Sequence, residues 1–359
     1  MAEHIPEEVV IKVLERLPVK PLIRFTCVSK RWRFIILSDP QFAKSQYKLS
    51  KGYQPGRRLL LTSPDHRQFY SLDFESSLGD NVVKRKVRIP FKSLEVQCSC
   101  NGLVCATVKV DVSKAAKPAF HVYIWNPSTG FYKKLPDPSL KRVHGIGYLS
   151  ATDDYKILMS GQQMNCQITQ ILSLRANVWK TIQCPFDDLD RCSKWIRVNE
   201  ALHWLRNAVI VAFNLAIEDF RTMPLPAALE FKYLDNEGSI NLAASVGGCL
   251  CAFHCPSFFR GSIDMWVMKE YGVADSWTKL FNFQVPNRPE KIYRFGWLEV
   301  WDSRIIFART ERRDDGIMRE YQVMSVHHQE DKQETHHTIC EVMRFIHIAY
   351  DESLFWLPS

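Results

Sequence analysis

One short pattern recurs along the middle of the chain: an apolar strand, a polar turn, and a second strand that carries an aromatic residue. The aromatic residues after four such turns are Phe131, Trp179, Phe220 and Trp277. Their separations are 48, 41 and 57 residues, close to the roughly 40 to 50 residues of one propeller blade. The spacing therefore predicts a ring of small β-sheets, each built from one copy of the repeat.

Further apolar strands lie near these four units and raise the number of repeats. They occupy residues 102–105, 155–158, 201–204, 248–251 and 304–307. With residues 58–73 as an opening unit, about six degenerate repeats can be counted, which is enough to close a ring. A pair of β-sandwiches remains the alternative because short strands occur in both folds, but the regular spacing favours the propeller.

The first fifty residues have a different, helical pattern. Pro6, Pro21 and Pro40 each lie where a helix could begin, since the first helical position needs no N–H donor. We expect helices that start at Pro6, at Pro21, near residue 30 and at Pro40, with Asp39 as the cap of the fourth. Helices this short are marginal alone, so they must pack against one another or against the rest of the chain.

The first of these helices has an apolar face. Val9, Val13 and Leu17 recur every four residues, and Val10 and Leu14 lie beside them. A bundle of about fifty residues buries little surface. The segment holds more large apolar side chains than such a bundle can cover, and the surplus indicates a partner.

This segment resembles an F-box. The matching blocks are the start at Pro6, residues 16–20, Phe25 with residues 27–32, and the close at residues 39–42. The one departure is Ile5, where leucine is commoner. The resemblance implies that the module docks onto the Skp adaptor of a cullin-based ubiquitin ligase, and reaches the cullin and RING subunits through it. The adaptor-binding residues that the resemblance implies are Ile5, Pro6, Val10, Leu14, Leu17, Pro18, Leu22, Phe25, Val28 and Trp32.

The repeats, in turn, resemble the plant F-box-associated domain. The landmarks that match in order are residues 100–103, 125–129, 153–156, 198–204 and 266–273, with Ser276 and Trp277. The match weakens after Phe307. The resemblance implies an α+β multidomain plant protein, with a helical F-box at residues 1–50 and a substrate-binding, all-β propeller-like domain of about six blades at residues 51–359. It also implies a non-catalytic receptor that holds a target protein for ubiquitination.

Charge is concentrated at the N-terminus. Residues 1–57 hold 11 Lys and Arg against 5 Asp and Glu, a net charge of +6, whereas the whole chain carries +8. These cations alternate with apolar residues and lack interleaved aromatics, so a solvated helix face or an acidic protein partner is favoured over nucleic acid. The basic run at residues 84–88 matches a nuclear signal, but a charge run beside a strand is the commoner case.

The sequence offers little for catalysis or metal binding. Cys98 and Cys100, and the set Cys249, Cys251 and Cys255, have a spacing that places thiols on one strand face, unlike the C-x-x-C of structural zinc sites. The histidines at 327, 328, 336 and 337 lie in a charged stretch that we interpret as a solvated loop. No motif for nucleophilic, phosphate or metal chemistry occurs, so no cofactor is expected.

Two alternatives stay open beside the receptor. One is a propeller enzyme or ligand-binding protein whose site lines the central channel, and the narrower one is an S-locus-type receptor for ribonucleases. The eleven cysteines, an odd number, favour free thiols in the cytoplasm or nucleus. No apolar run approaches the roughly 18 residues of a membrane span, so no membrane partner is expected.

The C-terminal tail, residues 344–357, contains two apolar runs around an Asp-Glu-Ser turn. Its aromatic density is unusual for a disordered tail, and the pattern predicts a hairpin. The early strands near residues 58–72 lack a full set of partners. We therefore expect the tail to join them in one blade and to lock the ring.

Overall fold

The structure is a computed structural model. It describes residues 5–53, 57–63, 65–73, 83–110, 119–163, 166–186, 189, 195–234, 238–244, 247–256, 262–284, 293–301, 304–313, 316–326, 333–343 and 346–357. The chain folds as two compact units. The first comprises Met1–Leu78, Val83–Ser139 and Ile346–Ser359, and the second comprises Gly79–Val82 and Leu140–Phe345.

Four helices open the first unit: α1 (Glu7–Leu14), α2 (Val19–Phe25), α3 (Lys30–Ser38) and α4 (Pro40–Tyr53). The predicted cap of α4 is confirmed, because Asp39 Oδ1 accepts hydrogen bonds from the backbone N–H groups of Gln41 at 2.9 Å and Phe42 at 3.3 Å.

The predicted start of the second helix was wrong. Helix α2 begins at Val19 rather than at Pro21, and Pro18 precedes it in an extended conformation. Pro21 lies in the first turn of α2, where its missing N–H removes no intrahelical hydrogen bond. Helix α1 likewise begins one residue after Pro6, whose carbonyl accepts the first N–H groups of the helix, from Val9 and Val10.

Two four-stranded antiparallel sheets complete the first unit. Their strands are β1 (Arg57–Thr62), β2 (Phe69–Asp73), β3 (Val83–Val87), β4 (Glu95–Cys100), β5 (Leu103–Val110), β6 (Ala119–Trp125) and β7 (Tyr132–Lys134), with β24 (Ile346–Asp351) from the C-terminus. One sheet has the order β24-β1-β2-β3 and the other β4-β5-β6-β7. Between them, Leu60 and Phe69 pack with Val104 and Trp125 in one buried cluster.

The tail joins the first sheet as predicted, but as a single strand rather than a hairpin. Strand β24 pairs with β1 from Thr62 opposite Ile346 to Arg57 opposite Asp351. The residues after Asp351 form no strand up to residue 357, and Leu354 instead packs among the helices. The first part of the predicted tail, Arg344 and Phe345, lies outside the described residues.

The described part of the second unit contains four more antiparallel sheets, one α-helix and a short 3-10 helix at Ala274–Ser276. Its strands are β8 (Arg142–Leu149), β9 (Asp154–Gln163), β10 (Cys166–Ser173), β11 (Val178–Ile182), β12 (Ile196–Val198), β13 (Ala201–Arg206), β14 (Val209–Asn214), β15 (Asp219–Pro224), β16 (Gly238–Ala244), β17 (Leu250–Pro256), β18 (Ser262–Met268), β19 (Trp277–Gln284), β20 (Tyr293–Trp301), β21 (Arg304–Arg313), β22 (Gly316–Val326) and β23 (Gln333–Met343), and helix α5 is Ala227–Leu234. Each run of four consecutive strands forms one sheet.

Six four-stranded sheets are therefore present in the described part of the chain, which confirms the predicted propeller of about six blades. The aromatic residues of the repeat lie at equivalent places. Trp179, Phe220 and Trp277 lie in β11, β15 and β19, the outermost strand of each sheet, and Phe131 directly precedes β7.

The turns before β7, β11, β15 and β19 also have a repeated geometry. A residue in the left-handed region lies in each of them: Gly130, Asn177, Glu218 and Gly272, with φ between +57° and +86°. Glycine and asparagine tolerate this region best, so the turn residues in the sequence were informative.

Candidate functional site

The helices of the first unit form a small core. Leu14 and Leu22 are fully buried there, together with Ile35, Ile36 and Phe42. Val10, Leu17, Phe25 and Trp32 pack against this core while remaining partly exposed. The rings of Phe25 and Trp32 meet edge to face with centroids 5.7 Å apart, an arrangement that aromatic pairs favour.

A stripe of apolar side chains runs along the outer face of α1. Ile5, Val9 and Val13 are spaced four residues apart and are 61%, 48% and 55% exposed. Residues four apart lie on the same helix face, and Ile5 immediately precedes the helix start. We call Ile5, Val9 and Val13 the α1 stripe.

Two more exposed apolar residues lie nearby on the α3 side. Val28 precedes α3 and is 60% exposed, and Phe34 within α3 is 53% exposed. Arg31 connects the two helices, because its Nε donates to Glu7 Oε1 at 2.6 Å while its guanidinium lies 5.7 Å from the centre of the Phe34 ring. The start of α1 is thereby held beside α3.

The turn between α1 and α2 is supported from α4. The side-chain amide of Gln46, which is buried, donates to the carbonyl oxygen of Leu17 at 3.0 Å. Pro18 follows in an extended conformation and is exposed. This contact fixes the protruding corner that Leu17 and Pro18 form.

The ten residues that the resemblance implied therefore fall into two groups. Six lie together in or against the helical core: Val10, Leu14, Leu17, Leu22, Phe25 and Trp32. Four are at the surface and are not part of that cluster: Ile5, Pro6, Pro18 and Val28. The exposure of Val9, Val13 and Phe34 was not predicted from the sequence. The four-residue spacing of Ile5, Val9 and Val13 could have indicated a shared helix face.

The second unit holds a buried histidine, His203, in strand β13. Its Nε2 lies 2.7 Å from the hydroxyl of Tyr271 and its Nδ1 lies 3.2 Å from the carbonyl oxygen of Ile196. Burial lowers the pKa of His203 to about 4, which keeps the imidazole neutral at neutral pH. Tyr271 is covered in turn by the guanidinium of Arg221, 4.7 Å from its ring centre.

The cysteines considered for zinc are not joined in disulfides where the structure describes their side chains. Cys98 and Cys100 lie in β4, Cys251 lies in β17 and Cys249 directly precedes it. Within the described residues, no group of three or more His, Cys, Asp and Glu side chains is arranged to hold a metal ion. His336 and His337 lie in β23 rather than in a loop, and His327 and His328 lie outside the described residues.

The helices found in the described part of the chain are all too short or too polar to span a bilayer. The basic run that begins at Lys84 lies within strand β3 rather than beside a strand.

Comparison with known families decides the assignment. Residues 50–303 match the family model described as an F-box associated beta propeller domain, and residues 3–44 match the F-box domain. The chain belongs to the F-box-associated beta propeller family. This F-box protein carries the helical module and the repeats in the order that the sequence indicated.

Curated relatives support the same assignment for this F-box protein. It is 28% identical over 342 residues to F-box protein CPR1 of Arabidopsis thaliana, with 82% of this chain and 76% of that protein aligned. It is 27% identical over 333 residues to putative F-box protein At3g16210 of the same plant, with 89% and 83% aligned. F-box/kelch-repeat protein At3g23880 of Arabidopsis thaliana is 26% identical, with 78% and 79% aligned.

Solved structures match only loosely. A chain from the nidogen/laminin complex aligns with a TM-score of 0.42 at 12% identity, covering 83% of this chain and 99% of that one. The periplasmic gluconolactonase PpgL of Pseudomonas aeruginosa aligns with a TM-score of 0.44 at 10% identity, covering 81% and 99%. Alignments this distant carry no argument about the function of the F-box protein.

Proposed function

We propose that this F-box protein is a substrate-receptor subunit of a Skp–cullin–F-box ubiquitin ligase. Its helices dock onto the Skp adaptor, which connects it to the cullin and RING subunits, and its β domain holds the target protein. The observation that carries the proposal is the α1 stripe, a row of exposed aliphatic side chains on the segment that matches the F-box domain.

Exposed aliphatic rows are costly unless a partner covers them. Burying one such side chain on association contributes about 1.5–3 kcal/mol, so a stripe of three with Val28 and Phe34 beside it is a substantial anchor. The neighbouring ion pair between Arg31 and Glu7 is exposed and adds little energy. It orients α3 against α1 and so sets the spacing of the apolar side chains.

The other implied residues take two roles in this proposal. Leu14 and Leu22 are buried, so they shape the surface from beneath rather than contact the adaptor. Val10, Leu17, Phe25 and Trp32 are partly exposed and contribute their outer atoms, and Pro6 and Pro18 fix the two ends of the α1 region. Ile5 and Val28 contact the adaptor directly.

The receptor itself performs no chemistry in this proposal. It holds a target near a charged ubiquitin-conjugating enzyme, which makes the transfer effectively intramolecular. The turns between the blade strands read the target, because loops on a rigid scaffold vary without cost to the fold. The free thiols of the described residues suit the reducing cytoplasm or nucleus, where we place the protein.

The docking surface is tested with Val9→Glu and Val13→Glu together in the full chain. Both side chains are about half exposed, so the fold should keep its melting temperature while the two carboxylates oppose an apolar contact. We expect co-purification of the Skp adaptor to fall by at least roughly a hundredfold in affinity, since two hot-spot side chains are worth about 2 kcal/mol or more each.

The matched control is Val178→Glu with Val273→Glu, the same substitution at two exposed valines of the β domain. This control should bind the adaptor as the wild type does. Leu17→Ala with Pro18→Ala tests the α1–α2 corner independently and should also abolish adaptor binding. Wild-type affinity in both helical variants would refute the assignment of the surface.

A further inference from the structure

The outer strand of the first sheet is strongly basic. Strand β3 lies at one end of the order β24-β1-β2-β3, and β2 is its only strand partner in the part of the chain that the structure describes. Alternate residues of such an edge direct their N–H and C=O groups away from the sheet. Lys84, Arg85 and Lys86 follow one another in β3. We call these three residues the β3 edge cations.

The strand geometry distributes positive charge on both sides of this edge. Successive residues of a strand project to opposite faces, so Arg85 and Lys86 lie on different faces of the sheet. Arg85 is partly exposed and Lys86 is exposed. Their partners in the register with β2 are Ser71 and Tyr70, neither of which carries a carboxylate. Charges on β2 therefore do not neutralise the edge at these two positions.

Lysines in the outer strands of three other sheets do have anionic partners. The ion pairs join Lys134 of β7 to Asp137 at 3.1 Å, Lys180 of β11 to Glu218 at 2.7 Å, and Lys279 of β19 to Asp264 at 2.7 Å. Among the described residues, no carboxylate forms an ion pair with Arg85 or Lys86. The β3 edge thus combines outward backbone groups with positive charge that lacks a matching anion.

We propose that an extended acidic segment of a partner protein adds to β3 as a fifth strand of this sheet. The backbone groups of the β3 edge supply the hydrogen bonds of such a strand addition. Aspartate or glutamate side chains opposite the β3 edge cations supply charge complementarity, because opposite charges in directly facing strand positions stabilise a strand pair.

Charge also decides against a second copy of the chain as the occupant. Lysines on an edge strand commonly prevent edge-to-edge pairing. If β3 paired with β3 of another copy, cations would face cations, which destabilises a strand pair. The same charges favour an acidic strand, so the β3 edge is selective for its partner.

A nucleic acid fits this edge less well than a peptide does. Nucleic acids have no peptide N–H and C=O groups with which to extend the sheet. Non-specific binding of single strands also relies on aromatic side chains that stack on the bases, and β3 contains none. The inference goes beyond the proposed function, because the β3 edge cations belong neither to the α1 stripe nor to residues 3–44, which match the F-box domain.

The test measures the binding of fluorescent peptides to the full-length protein by anisotropy at about 0.15 M salt, where long-range charge effects are damped. The acidic probe is a threonine peptide of about nine residues, within the usual range of strand lengths, with successive glutamates at its centre. Two matched probes replace the glutamates by lysine or by serine. We expect the acidic probe to bind, and the lysine and serine probes not to bind.

A fourth probe separates strand addition from simple charge attraction. It carries a methyl group on the backbone nitrogen of each glutamate, so it keeps the carboxylates but loses the N–H groups that a strand donates. We expect this probe not to bind. Hydrogen exchange of the β3 amides should slow when the unmodified acidic probe is bound, because the outward N–H groups gain acceptors. Equal binding of the methylated and unmodified probes would overturn the proposal.

The decisive variant combines Lys84→Glu, Arg85→Glu and Lys86→Glu. We expect its affinity for the acidic probe to fall by roughly tenfold or more, since like charges then face one another. The variant should instead bind the lysine probe, a gain that an unfolded sheet would not show. The matched control reverses three exposed lysines elsewhere, Lys48, Lys109 and Lys141, which changes the net charge equally. It should keep the preference and affinity of the wild type.

Adaptor co-purification is measured on the same proteins and keeps the two proposals separate. The reversed β3 edge should still bind the adaptor, and the Val9→Glu, Val13→Glu variant should still bind the acidic probe. Equal losses of acidic-probe binding in the reversed edge and the lysine control would overturn the strand addition, because net charge alone would then explain binding. Tighter binding of a single-stranded oligonucleotide than of the acidic probe would overturn it as well.

Discussion

At the scale of single residues, His203 is the side chain whose environment has the clearest consequence. It lies in β13 of the second unit, and its two ring nitrogens contact the hydroxyl of Tyr271 and the carbonyl oxygen of Ile196. The tyrosine ring meets the imidazole at 85° with centroids 5.5 Å apart. Burial, the dominant cause, disfavours the charged imidazolium and lowers the pKa of His203 to about 4.

This depressed pKa predicts a loss of stability in mild acid. The unfolded chain binds a proton at His203 near pH 6.5, whereas the folded protein resists it down to about pH 4, so stability is full above about pH 6.5 and falls between these values. The loss attributable to His203 should reach about 2 kcal/mol by about pH 5. Urea unfolding at about pH 7.5 and about pH 5 measures it.

His203→Gln provides the comparison, because glutamine keeps a polar side chain of similar size but does not titrate. The variant is expected to be less stable than the wild type at neutral pH. The difference between the two proteins should shrink by about 2 kcal/mol on acidification. Parallel stability curves for the two proteins would contradict the assigned role of His203.

No local pattern in the sequence distinguishes His203 from the other ten histidines. Sequence reasoning examined His327, His328, His336 and His337 because they cluster along the chain, yet clustering in sequence says little about burial. The partner Tyr271 lies 68 residues away from His203. Such a contact depends on the packing of neighbouring blades, which no local pattern encodes.

At the scale of elements, the helix boundaries separate what local chemistry determines from what it does not. Asp39 was identified from sequence because a short polar side chain directly before a helix start can accept hydrogen bonds from the unpaired N–H groups of the first helical turn. The start of α2 was misplaced because proline is tolerated at any position of the first helical turn. Pro21 therefore indicated that a helix begins nearby, but not at which residue.

The cap at Asp39 leads to a direct prediction. Asp39→Ala removes the acceptor for the N–H groups of Gln41 and Phe42 and should cost about 0.5–2 kcal/mol. Hydrogen exchange of the α4 amides, read by mass spectrometry, should show faster exchange in the first turn. Asp39→Asn keeps an acceptor oxygen and should exchange almost as slowly as the wild type. Equal exchange in the alanine and asparagine variants would show that the cap does not stabilise α4.

The blades were the most predictable elements. Strands β7, β11, β15 and β19 each follow a turn with a left-handed residue and begin near a large aromatic side chain, so the repeat is visible in sequence despite its degeneracy. The pairing of β24 with β1 was predictable for a different reason. Strand β1 near the start of the chain would otherwise have an unpaired edge, and the apolar run near the end of the chain can supply the missing strand.

At the scale of the whole molecule, the last residues of the chain link the helices to the sheets of the first unit. Tyr47 of α4 donates to Asp351 Oδ2 at 2.7 Å, and Asp351 is the last residue of β24 that pairs with β1. The side-chain amide of Asn126 then donates to the carbonyl oxygens of Ser353 at 3.0 Å and Phe355 at 2.9 Å. Leu354, between those two residues, is buried in the helical core.

The helices should therefore depend on residues about three hundred positions downstream in the sequence. Leu354→Ala removes a buried leucine from the core that contains Leu14 and Leu22, at a cost of about 2–5 kcal/mol. That is a large part of the roughly 5–15 kcal/mol that stabilises an ordinary domain. We expect the variant to lose affinity for the Skp adaptor although Leu354 lies outside the matched F-box segment.

Two truncations separate the contributions of the tail. Removal of residues 354–359 keeps β24 and should expose the amides of α1–α4 to fast hydrogen exchange while the strands of the first sheet stay protected. Removal of residues 346–359 also strips β1 of a partner strand, so the whole β domain should become insoluble or protease-sensitive. If the variant without residues 346–359 stayed soluble with an unchanged melting temperature, the tail would not contribute to the stability of the β domain. In that case β24 would not be needed to complete the first sheet.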